Sequence, residues 1–76
     1  MFSKEIFAQN LRDILKSRGM SQNKLSKEIG ISQQAVTQFC GGHNLPSIET
    51  LIAIADALDV SIDELVGRVS RSQASQ

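Results

Sequence analysis

Tryptophan and tyrosine are absent from this 76-residue chain, cysteine occurs once, and no apolar run approaches the length of a signal core or a membrane span. Each scarcity excludes something. A lone Cys40 cannot close an internal disulfide, so nothing calls for an oxidising compartment. Cys40 and His43 together offer two potential metal ligands where a structural zinc site needs four. The first twenty residues carry Lys4, Glu5, Arg12, Asp13, Lys16 and Arg18, a pattern unlike a leader, and a cytoplasmic location with no membrane partner is expected. With three Phe as the only aromatics, the core must be built from Leu and Ile. The length admits one domain, near the size where a single core is only just sufficient.

Catalysis also lacks its parts. A Cys-His nucleophilic pair needs an exposed thiol, whereas Cys40 falls on the apolar arc of its helix. The carboxylates gather in the last two helical patterns, where they suit helix N-termini, and no converging pair is visible. The expectation is a protein that is not an enzyme, with no cofactor, no metal and no small-molecule substrate.

What is present is a repeated helix-start device. Ser3, Ser21, Ser32, Ser47 and Ser61 each stand one residue before a helical pattern, where a hydroxyl can accept a first-turn N–H. Apolar pairs bracket these caps: Phe2 with Phe7, Met20 with Leu25, Ile31 with Val36, Pro46 with Leu51, and Val60 with Leu65. Ser61 and Glu64 add a reciprocal capping box. Five caps predict five helices, and no segment alternates at period two for long enough to suggest a strand. The first helix is expected over Lys4 to Arg18, with Phe7, Leu11 and Ile14 inward and Ile6 and Leu15 as flanking core. The fourth is expected to turn Ile48, Leu51, Ile52, Ala55 and Leu58 inward, and the fifth Ile62, Leu65 and Val66. The fold class is all-α, a domain over residues 1–69 followed by a polar tail, 70–76, that loses all apolar spacing.

The stretch from Ser21 to Cys40, SQNKLSKEIGISQQAVTQFC, reads as two short helices across a tight turn. Gly30 is the residue type that ends a helix in the left-handed conformation, and Leu25, Ile29, Ile31, Val36 and Phe39 form a shared apolar seam. At about 100° per residue, Ala35, Val36, Phe39 and Cys40 of the second helix fall on one arc. Gln33, Gln34, Thr37 and Gln38 fall on the other. A face that only needed to be soluble would favour Lys and Glu; this one carries three amides and a hydroxyl without formal charge. The major groove of B-DNA admits one α-helix, Gln can pair bidentately with adenine, and the Thr methyl can pack on that of thymine. Gln33, Gln34, Thr37 and Gln38 are therefore candidate base-contacting residues.

From about Leu11 to Val66 the chain resembles the helix-turn-helix domain of the phage repressor and Cro proteins, the lambda repressor-like group. The resemblance rests on GMSQNKL, the turn EIGIS, the helix SQQAVTQF, the loop GGHNLPSIETL and the segment IADALDVSIDEL. It implies a compact five-helix domain that binds operator DNA, usually as a dimer. It also implies a phosphate contact for Gln22 and contacts to the other side of the backbone for His43 and Asn44. Lys27, on the first helix of the motif, is assigned to the DNA backbone. Two positions depart from the usual pattern: Cys40 stands where a Glu is common, and His43 where a Lys or Arg is common.

The net charge of zero hides a division. Residues 1–43 hold six cations (Lys4, Arg12, Lys16, Arg18, Lys24, Lys27) against Glu5, Asp13 and Glu28, a net +3; residues 44–76 hold Arg68 and Arg71 against five acids, a net −3. The polarity is modest, so phosphate neutralisation by one monomer is weak and a second subunit is expected to contribute. The expected function is a homodimeric, sequence-specific double-stranded DNA-binding regulator, a repressor that occupies a two-fold symmetric operator. The competing expectation is an antitoxin-like or peptide-responsive module that chiefly binds another protein, using Val66 and Val69.

Overall fold

A computed structural model describes residues 3–67 and forms five helices: α1 Lys4–Arg18, α2 Gln22–Ile29, α3 Gln33–Cys40, α4 Ile48–Leu58 and α5 Ile62–Val66. No strand occurs among the described residues. The Phe2–Phe7 pairing, the domain limit at residue 69 and the tail lie outside them.

All five serines start helices as expected. The Oγ atoms of Ser3, Ser21, Ser32, Ser47 and Ser61 accept from the N–H three residues on, at 3.0–3.3 Å. Each such cap typically contributes about 1 kcal/mol. At α5 the box is complete, with Ser61 N donating to Glu64 Oε2 at 3.5 Å. The helix ends are just as regular. Met20 N donates to Leu15 O, His43 N to Gln38 O and Val60 N to Ala55 O, each at 3.0 Å, so α1, α3 and α4 close through six-residue turns. The left-handed residue is Gly19 after α1 and Gly42 after α3, but Asp59 after α4, with φ 57°.

Two arginines join the ends of helices distant in sequence. Arg12 Nη1 donates to the carbonyl of Cys40, the last residue of α3, while Nη2 donates to Gln9 Oε1 at 3.0 Å. Arg18 Nε donates to Leu58 O at 2.9 Å and Nη2 to Asp59 O at 3.2 Å, tying α1 to the end of α4. Both guanidiniums sit where the helix dipole is negative. At the other end, Asn10 Nδ2 donates to Leu65 O at 3.2 Å, holding α5 to α1. Gly67 passes so close to α1 that a Cβ there would stand 2.8 Å from Ile6 Cγ2.

The core is aliphatic around one aromatic pair. Phe7 and Phe39 meet edge to face at 6.5 Å between ring centres, joining α1 to α3. Leu11, Leu15, Leu25, Val36, Ile54, Leu58 and Leu65 are buried around them, and Ile14 packs partly against the cluster.

Some inward assignments need correction. Leu15 is core as expected, but Ile6 is exposed. In α4 the buried arc is Ile54, Ala55 and Leu58 with Leu51 packed beside it; Ile48 is 73% exposed and Ile52 44%. The reason is angular. Leu51, Ile54, Ala55 and Leu58 follow i, i+3, i+4, i+7 and define the buried stripe, while Ile48 and Ile52 lie together on one flank of it. Ile62 is also exposed, leaving Leu65 as the buried residue of α5.

Candidate nucleic-acid interface

The placement of α3 is set by the turn before it. Gly30 N and Ile31 N both donate to Ser26 O, at 2.9 and 3.0 Å, so α2 ends abruptly and Ser32 caps α3 two residues later. Ser26 is buried, and its Oγ donates to Asn23 O at 2.7 Å, which satisfies a hydroxyl inside the seam. Leu25 from α2 and Val36, Phe39 and Cys40 from α3 are buried in the common core. The periodicity therefore assigns the inward arc correctly, with Ala35 half-buried at its edge.

Outward, Gln33, Gln34 and Thr37 are exposed and Gln38 is half-buried. Gln33 and Gln34 make no side-chain hydrogen bond to another described residue. The other two are held from outside the helix. Thr37 Oγ1 donates to Gln22 Oε1 at 3.0 Å, and Asn44 Nδ2 donates to Gln38 Oε1. Gln22 and Asn44, which the family resemblance placed on the DNA backbone, thus stand on either side of the four candidate base readers and touch two of them.

The closure of α3 positions the second of these partners. His43 N donates to Gln38 O, Gly42 N to Phe39 O at 3.3 Å and Gly41 N to Thr37 O at 2.9 Å, folding residues 41–44 back over the last turn. Gly42 needs its left-handed φ of 80° to do this. The exposed His43 ring lies against Gly41, where a Cβ would meet its Cδ2 at 2.9 Å.

Lys27 is not brought to this group. It lines a polar depression on the outer side of α2 with Ser21, Asn23, Lys24 and Glu28, beside an exposed Lys24–Glu28 ion pair of 3.6 Å. Such a pair contributes little to stability. No Lys or Arg occurs between Lys27 and Arg68, so α3 and the loop after it carry no fixed cation. Burial pushes the Cys40 thiol above its ordinary value, against a smaller opposing pull from Arg12. The thiol is thus held neutral and packed, consistent with its inward position.

Sequence reasoning missed the two arginine clamps and the two side-chain bonds across the outward face of α3. The clamps join residues 28 and 40 or more positions apart, a separation at which no periodicity carries information.

Residues 11–65 match the helix-turn-helix family model. The transcriptional repressor RstR of the cryptic phage CTXphi in Vibrio cholerae is 42% identical over 60 residues, which cover 79% of this chain and 54% of that protein. The chain thus spans about half the length of that relative. Among solved structures, the SOS-response transcriptional repressor LexA from Eubacterium rectale superposes with a TM-score of 0.80 at 28% identity, over 84% of this chain and 68% of that one. The restriction-modification controller protein C.AhdI from Aeromonas hydrophila gives 0.77 at 29% identity, over 82% and 94%. Among the described residues no helix is long and apolar enough to cross a membrane. A five-helix body that turns an amide-rich α3 outward on a short capped turn, and matches that model over most of its length, belongs to the helix-turn-helix family of DNA-binding transcription regulators.

Proposed function

We propose that this chain is a cytoplasmic repressor that binds a two-fold symmetric operator in double-stranded DNA as a homodimer, with α3 in the major groove. The observation that carries the reading is the outward face of α3. Gln33, Gln34, Thr37 and Gln38 offer hydrogen-bonding groups without charge, which suits base edges better than phosphates. Gln22 at the start of α2 and Asn44 with His43 after α3 reach to the two sides, where the phosphate backbones would run. Lys27 adds attraction to phosphate from the outer side of α2. The similarity to a phage repressor supports repression.

The apolar groups outside the core support a second copy as partner. Leu45, Ile48 and Ile52 are exposed together, and Leu45, Pro46, Ile48 and Leu51 line an apolar groove at the start of α4. In a two-fold pairing Ile48 of each copy would enter the groove of the other, an isologous contact. This surface follows directly on the loop leaving α3, so symmetric pairing there would hold two reading helices for half-sites about one helical turn apart.

Selection of sites from a random duplex pool, at low and at near-physiological salt, tests the reading. A symmetric, adenine-containing motif that persists at the higher salt is expected. Replacing Gln33 or Gln34 by Ala should cost about 1 to 3 kcal/mol on that site and relax one base pair. Binding without a motif that disappears as salt rises would refute base reading by this face.

A further inference from the structure

The apolar surface of α4 lies in a stretch of one charge sign. Between Asn44 and Gly67 stand Glu49, Asp56, Asp59, Asp63 and Glu64 and no Lys, Arg or His, a net of −5. All five are exposed, and the ion pair among the described residues is Lys24–Glu28 on α2, so none of the five is matched by a cation there. Arg18 reaches the end of α4, but on the carbonyls of Leu58 and Asp59 and not on a carboxylate. At about 100° per residue, Asp56 and Glu49 stand about 40° and 60° beyond Ile52, along the edge of the exposed Ile48–Ile52 flank.

We infer that the pairing of two copies through this surface is opposed by its own carboxylates, so that dimerisation takes up cations and tightens as salt rises. An isologous contact sets a patch against itself, and a patch of one sign therefore meets its own sign. The helix rises about 1.5 Å per residue, which puts Glu49, Asp56 and Asp59 within about 17 Å of Ile48 along its axis. The screening length is about 30 Å at 10 mM salt and about 8 Å at 150 mM. The repulsion thus reaches across the contact in the first case and is largely removed in the second. DNA binding responds in the opposite sense, because neutralising phosphates releases cations. The inference rests on the homodimer reading and adds a switch to it: low salt favours phosphate contact by monomers, and physiological salt favours the pair that reads a symmetric site.

Sedimentation equilibrium of the full chain at about 10 and about 150 mM NaCl tests it. Interference detection suits a chain without Trp or Tyr. The proteins are the wild type, the double variant Glu49→Gln/Asp56→Asn, and Asp13→Asn. Two like charges about 10 Å apart in water change a binding constant by about 1.4-fold between these salts. Glu49 and Asp56 on two copies make about four such pairs, and Asp59 adds more distant ones, so the wild-type dimer should tighten by about threefold to tenfold. The double variant should pair about fivefold more tightly than the wild type at the lower salt and respond to salt by less than about twofold. Asp13, bonded to Gln9 on the exposed side of α1, carries the same charge elsewhere, and Asp13→Asn should keep the wild-type response.

A wild-type dimer that loosens as salt rises, or ignores it, overturns the inference and leaves the homodimer standing. A response as large in the double variant as in the wild type assigns the tightening to apolar burial and overturns it too. So does a response that Asp13→Asn removes as fully as the double variant, since net charge alone would then account for it. A chain that stays monomeric in every variant at both salts refutes the homodimer reading itself, an outcome distinct from the other three. Glu49 and Asp56 are exposed, and circular dichroism of the double variant should match the wild type.

Discussion

Arg12→Met removes one guanidinium and keeps most of the aliphatic stem. In the structure that guanidinium donates to the Cys40 carbonyl at the end of α3 and to Gln9 Oε1 within α1. A hydrogen bond with a charged partner contributes about 1.5 to 3 kcal/mol, and a cation at a helix C-terminus about 0.3 to 1 kcal/mol. Arg12 is exposed, so the low end of both ranges applies, about 2 kcal/mol in total. For a domain of this size each kcal/mol lowers the melting temperature by about 4 to 8 °C, which gives a fall of about 8 to 16 °C. Thermal unfolding followed by circular dichroism measures it, and urea unfolding should show a lower midpoint at unchanged slope, since the core is untouched. Arg12→Lys keeps the charge but loses the fork, and should fall between the two. A variant melting within about 2 °C of the wild type would refute the clamp, because a guanidinium hydrated in solvent is the arrangement that costs so little to remove.

The remaining predictions separate stability from binding. Asp59→Gly relieves the left-handed strain after α4 while keeping the backbone carbonyl that Arg18 uses, and should raise stability by about 0.5 to 1 kcal/mol; an equal or lower melting temperature counts against strain there. The Cys40 thiol is raised from its ordinary value of 9.0, so the unfolded chain loses the proton first. Stability from that group is full below pH 9 and is lost as pH climbs through the raised value, and Cys40→Ala should show less alkaline loss in urea titrations at pH 8 and 10. Lys27→Ala should weaken DNA binding evenly across sequences and flatten the salt slope by about one per monomer; a sequence-selective loss contradicts its backbone role. Ile48→Glu should abolish dimers in sedimentation while keeping the wild-type helical content by circular dichroism, since Ile48 lies outside the core; an intact dimer excludes the α4 surface.

The parts of this fold that are legible in sequence are those decided within about five residues. A serine cap needs only the N–H three positions on, and a glycine end only its own φ, so helix starts and stops can be read from residue types. The seam of the helix-turn-helix is similarly local, because α2 and α3 fold on each other across a three-residue turn. Assignments on α4 went astray because α4 has more apolar residues than its buried stripe can hold. Ile48 and Ile52 satisfy a helical spacing with Leu51 and Ala55, and the positions of α2, α5 and α1 against α4 decide which flank is covered. At the candidate site, residue type and arc located the four outward groups of α3. Their hydrogen-bond partners, 15 residues away for Thr37 and across a glycine turn for Gln38, follow from how the chain returns, which residue types do not encode.

The charge distribution gives these pieces a common logic under the proposed function. Two of the six cations in the first 43 residues are engaged with helix carbonyls, and Lys24 shares its charge with Glu28, which leaves Lys4, Lys16 and Lys27 unpaired among the described residues. With no fixed cation on α3 or its loop, attraction to phosphate does not hold the reading face against DNA in any register; base contacts must do so. A monomer built this way would bind weakly everywhere and discriminate well, and affinity would have to come from doubling it. Two copies joined through Ile48 would double both the phosphate and the base contacts for the cost of one association step. Under the proposed function the apolar groups that α4 leaves in solvent and the missing cations of α3 would be two sides of one arrangement, with specificity in the helix face and strength in the pair.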